Sequence, residues 1–117
     1  MSKDLNRVML IWRLTQDVEL KKSLENWTSV ATFTVATNRK YKNSEWNVVE
    51  ESEFHRCIAF WRLAESLEEF VWKGKRVYIE WRLRTRKWED SQWQIKYFTD
   101  IIVEDFIALE PKDELPF

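Results

Sequence analysis

Apolar and polar positions alternate with a period of two along most of this chain, and the period changes once. In 76–88 the even positions hold Arg76, Tyr78, Glu80, Arg82, Arg84, Arg86 and Trp88, while Val77, Ile79, Trp81 and Leu83 fall on odd ones. Successive side chains of a strand point to opposite faces, so this segment predicts a strand with one cationic, aromatic-bearing face and one apolar face. Residues 51–61 behave alike: Phe54, Arg56 and Phe60 share a parity, and His55, Cys57 and Ala59 share the other. Residues 5–15 read as a strand, as does 28–41, which is rich in Val, Thr and Phe. A last strand is expected over 94–107, joined to 75–88 by a hairpin turn in EDSQWQ. The polar KNSEWNVVEE before the third strand reads as a loop, or as a loop extended into a flexible hairpin. The period shifts in RLAESLEEFV, where Leu63, Leu67 and Phe70 fall at i, i+4 and i+7, one face of a helix. Gly74 in WKGK is placed to cap its C-terminus.

The resulting order, β-β-β-α-β-β, predicts an all-β domain with one helix. It is the plan of an OB-fold, a five-stranded Greek-key barrel with the helix between strands 3 and 4. The 117 residues suit one compact domain, here 1–109, followed by a short acidic tail, 110–117. No apolar run approaches a membrane span. The N-terminus lacks the shape of a signal peptide. A single cysteine, Cys57, excludes an internal disulfide and fits a reducing cytoplasm.

Charge changes the picture through its placement. The net charge is −1. The last eight residues, EPKDELPF, carry three acids and one lysine, which leaves the remainder near +1. Totals therefore do not argue for a nucleic-acid partner. The strand faces do. Cations attract phosphates regardless of sequence. Flat rings between them stack on unpaired bases, at about 1–3 kcal/mol per base, and a duplex hides those faces. The alternative reading of such a face is plain solvation, and Phe54 and Phe60 taken alone suit a core better than a platform.

The segments VMLIWRLTQD, VATFTVATNRKYK, EFHRCIAFWRLAE and RVYIEWRLRTRKWED, in that order, resemble the bacterial single-stranded DNA-binding protein family, SSB. The resemblance covers about residues 5–107. It implies base stacking by Tyr41, Phe54, Phe60 and Trp88, and phosphate contacts by Arg56, Arg84, Arg86 and Lys87, with Lys73 and Arg76 added. It also implies a subunit-interface role for His55, assembly as a homotetramer, and residence in the bacterial cytoplasm with the nucleoid. DELPF is similar to the family's acidic tip, which docks replication, recombination and repair proteins; that maps to Asp113, Glu114, Leu115, Pro116 and Phe117. The family's long Gly/Pro/Gln-rich linker has no counterpart before this tip, so docking would be short-tethered.

Eight tryptophans against one glycine remain to be explained. Average usage would give about eight glycines. In the family pattern glycine stands at Trp12, Trp27, Trp61, Trp81 and Trp93, whereas Trp88 is ordinary, Trp46 acceptable and Trp72 at a variable site. ENWT and SQWQ read as turns, where glycine supplies positive φ. Trp12, Trp61 and Trp81 lie in or beside strands, where glycine permits a bulge or close approach. The hypothesis is that UGA codons, read as glycine in the source organism, are written here as tryptophan. The opposing one is that the indoles are genuine and enlarge a stacking surface.

An enzyme is not expected. There is one histidine, one cysteine, no phosphate-cradling glycine loop and no metal-ligand spacing, and no cofactor is implied. A second reading keeps the barrel but assigns it to RNA or to a protein partner.

Overall fold

The computed structural model describes residues 4–110. The chain runs β1 (Val8–Leu14), β2 (Glu19–Lys22), β3 (Ser29–Lys42), β4 (Val48–Phe60), α1 (Trp61–Phe70), β5 (Arg76–Glu89) and β6 (Ile95–Ala108). Neighbours follow the order β1-β5-β6-β4-β3, and β1 returns to β3 through Arg13↔Ala36 and Leu14↔Val35. The sheet thus closes into a five-stranded barrel with α1 between β4 and β5. β4 and β6 meet in parallel at Cys57↔Ile101 and Ile58↔Ile102, while the other pairings are antiparallel.

The expected plan stands, with one strand added. β2 pairs with β3 outside the closure, from Glu19↔Thr32 to Lys22↔Ser29. Its sequence, ELKK, is too short and too charged to show alternation, and only Leu20 packs on the core. β4 also begins earlier than expected. Val48 and Val49 pair with Lys42 and Tyr41, so the connecting loop shrinks to the turn between Asn43 and Asn47.

Inward positions of neighbouring strands meet in the core: Ala31, Phe33 and Val35 of β3, Cys57 and Ala59 of β4, Val77 and Ile79 of β5, and Ile101 and Val103 of β6. Ala64 and Leu67 of α1 close one end. Leu63 packs partly, but Phe70 is half exposed, so the helix face is Leu63–Ala64–Leu67, and Val71 completes it from just beyond the helix. Val71 is also the C-cap. Its backbone is extended at φ −130° and its N–H donates to the Leu67 carbonyl. Gly74 instead serves the next turn, at φ +83°, where the Lys75 N–H donates to the Trp72 carbonyl.

The radius of gyration is 17.2 Å, against about 13 Å for a compact domain of this length. Two long hairpin arms, β3–β4 paired as far as Lys42↔Val48 and β5–β6 as far as Glu89↔Ile95, extend the domain. Leu83, which has core parity, is 46% exposed because it sits where β5 leaves the barrel. Among the described residues no helix is long and apolar enough to cross a membrane.

Candidate nucleic-acid interface

The outward parity of three adjacent strands builds one surface. On β4 it holds Phe54, Arg56, Ile58 and Phe60; register carries the same face to Arg82, Arg84, Arg86 and Trp88 of β5 and to Lys96, Phe98, Asp100 and Ile102 of β6. β6 lies between the other two, so side chains from β4 and β5 meet over it.

Asp100 is the meeting point. It is fully buried. Arg86 from β5 donates to its Oδ2 through Nε, and one Nη also reaches Oδ1 at 3.4 Å. Arg56 from β4 places Nε 3.5 Å from Oδ1. Burying an unpaired carboxylate is costly, and two guanidinium groups offset that cost. Both remain about half exposed, so each holds a fixed place while still facing solvent. The Arg86 guanidinium also lies over the Phe98 ring at 5.5 Å. Phe98 in turn sits 6.2 Å from Trp88, centroid to centroid. Phe54 is exposed one step along β4 from Arg56 on the same face.

A cleft of about 540 Å³ continues the surface towards α1. Phe60, Trp61, Arg62, Arg82, Arg84 and Glu104 are among its walls. Arg84 Nε is buried with no hydrogen-bond partner among the described residues. An anionic oxygen would satisfy that donor.

The structure therefore gathers Phe54, Phe60, Trp88, Arg56, Arg84 and Arg86. It does not gather the rest. Lys87 has the opposite parity to Arg86 and stands across from Tyr97 on the reverse face of its arm. Tyr41 shares its face with Glu51 rather than Phe54; its hydroxyl donates to Glu51 Oε1 at 2.9 Å and Arg39 covers its ring at 4.7 Å. That hydrogen bond raises the Tyr41 hydroxyl pKa and lowers that of Glu51. Arg76 opens β5, roughly 26 Å from Arg84 along an extended strand. There it pairs with Glu110 at 2.6 Å. Lys73 lies in the turn after α1, where its backbone N–H donates to Asp17. His55 is half buried, with Nε2 2.8 Å from the Thr37 hydroxyl. Asp113, Glu114, Leu115, Pro116 and Phe117 lie outside the described residues.

Two contributors are not visible in the alternation of single strands. Phe98 and Asp100 belong to the surface only through the β5–β6 register, which sets them opposite Arg86 and Arg84. Cys57 offers no nucleophile: burial pushes its thiol up to about 12.

Residues 5–109 match the model of the Single-strand binding protein family. The chain is 40% identical over 114 residues to "Single-stranded DNA-binding protein 1" of Chlorobaculum tepidum, covering 97% of this chain and 70% of that protein. It is 38% identical over 110 residues to "Single-stranded DNA-binding protein" of Lactiplantibacillus plantarum, covering 94% of this chain and 54% of that one. With "Single-stranded DNA-binding protein 1" of Streptococcus pyogenes it shares 38% over 109 residues, 93% of this chain and 82% of that protein. The solved structure titled "Plasmodium falciparum SSB complex with ssDNA" superposes with a TM-score of 0.85 at 31% identity, covering 94% of this chain and 99% of that one. By fold, by sequence and by the extent of the match, the chain belongs to the single-strand binding protein family.

Proposed function

We propose that this protein binds single-stranded DNA without regard to base sequence, and so protects strands exposed during replication, recombination and repair. Phe54, Phe60, Trp88 and Phe98 stack on bases, while Arg56, Arg84 and Arg86 neutralise phosphates. One observation carries the reading: rings and guanidinium groups from three strands share a single outer face, with two of the arginines anchored by Asp100. The names of the curated relatives and the solved complex with single-stranded DNA support it. The protein acts by binding and not by catalysis, in the bacterial cytoplasm at the nucleoid. It assembles as a homotetramer in which His55 lies at a subunit contact. The acidic Pro-Phe tip recruits repair and replication proteins.

The test is a competition titration with single-stranded DNA, single-stranded RNA and duplex DNA of equal length. Preference for the DNA single strand is expected, with quenching of indole fluorescence. Preference for RNA would move the function to RNA, and binding to none of the three would favour a protein-interaction module.

A further inference from the structure

Four tryptophans occupy left-handed backbone: Trp27 at φ 58°, Trp46 at 65°, Trp61 at 60° and Trp93 at 63°. Among the described residues every other positive φ belongs to Gly74. An L side chain at such angles crowds the following carbonyl, which shifts the local equilibrium against it by roughly tenfold. Asn and Asp tolerate the region by bonding their own backbone; an indole has no such means.

The loops themselves specify the occupant. In Asn43-Ser44-Glu45-Trp46-Asn47 the first N–H donates to the fifth carbonyl at 3.0 Å, and the Trp46 N–H donates to the first carbonyl at 3.0 Å. The Asn43 Oδ1 accepts from the third and fifth N–H groups at 2.9 and 3.1 Å. Asp90-Ser91-Gln92-Trp93-Gln94 repeats the same four bonds at 2.9, 3.1, 2.9 and 2.9 Å. This is the hairpin loop in which a tight turn is followed by one left-handed residue, and glycine is the residue that position demands. The β2–β3 turn is built similarly: the Trp27 N–H donates to the Ser23 carbonyl and the Ser23 N–H to the Thr28 carbonyl, both at 2.8 Å. Trp61 sits where β4 breaks into α1.

Little offsets the strain. Lys42 lies 5.7 Å from the Trp46 ring and the Phe60 and Trp61 rings are 6.0 Å apart, yet the four residues are 70–82% exposed. Strain held for function clusters at one site and is fixed by its surroundings. Here it is scattered over three hairpin tips and a helix start. Trp88 differs, lying within a regular strand, and Trp12 packs on the core. We infer that the protein its own cells make carries glycine at positions 27, 46, 61 and 93, the gene's codon there being read as glycine and written here as tryptophan. Trp46, unexceptional by resemblance, joins the set on geometry. Trp12 and Trp81 have no positive φ and rest on the resemblance alone. The four indoles are then no part of the base-stacking surface, and a glycine at 61 widens the cleft beside Phe60.

Peptide mass spectrometry of the protein isolated from its source cells reads each position. Glycine is expected at 27, 46, 61 and 93, with tryptophan at 88; tryptophan at those four positions overturns the inference. On the recombinant chain as written, Trp46→Gly and Trp93→Gly should each raise the folding equilibrium constant, by roughly tenfold, and W46A and W93A by less. Trp88→Gly should lower it. Loss of stability in both hairpin glycine variants would overturn the inference as firmly as the mass spectrum.

Discussion

Asp100 receives one guanidinium from β4 and another from β5. Replacing it with asparagine keeps the shape and removes the charge. Because both arginines reach water, Asp100→Asn should cost about 1–3 kcal/mol, less than a fully buried pair would, measured by urea unfolding. The rings divide by face. Phe54→Ala and Trp88→Ala should each weaken binding to oligodeoxythymidylate by about 1–3 kcal/mol in a fluorescence titration. Tyr41→Ala should cost less, since Tyr41 turns to Glu51 on the reverse of its arm. Cys57 makes an alkaline prediction. Its folded thiol is pushed from 9.0 up to about 12 by burial. Between those values the unfolded chain releases a proton that the native one keeps, so stability falls as pH rises, by at most about 1.4 kcal/mol per pH unit. Below 9.0 this contribution is constant. Cys57→Ala should flatten that limb in thermal melts taken from neutral to alkaline pH.

Among the elements, α1 is the plug, and Leu67 is its buried centre. Leu67→Ala should destabilise the fold by about 2–5 kcal/mol in chemical denaturation, while the variant that remains folded keeps its affinity for the single strand, because Leu67 lies on the core side. Alternation makes β1, β3, β5 and β6 readable from the residues alone, since a half-buried strand must alternate. It also places Phe54, Arg56 and Phe60 together. It misses β2, whose four residues bury one leucine. It sets Phe70 and Leu83 inwards because periodicity marks direction but not where an element runs past its neighbours. Parity within one strand also cannot show that Phe98 and Asp100 complete the surface, as that depends on which residues register sets opposite Arg86 and Arg84. Turn chemistry is partly legible: Trp27 and Trp93 stand out in their loops, but Trp46 needs the hydrogen bonds that make its loop a copy of the other.

At the scale of the molecule, a net charge of −1 gives no general attraction to nucleic acid. Affinity must arise from the local field of the β4–β6–β5 face. It should fall linearly in log–log form as salt rises, with a slope of about −0.7 for each phosphate neutralised. The two projecting arms widen that face beyond the barrel wall, which suits a long flexible strand better than a compact ligand. The most direct test is a structure of this protein bound to oligodeoxythymidylate. Bases are expected to stack on Phe54 and Trp88, with phosphates beside Arg56, Arg84 and Arg86. A strand seated elsewhere on the barrel, leaving those rings bare, would contradict that expectation.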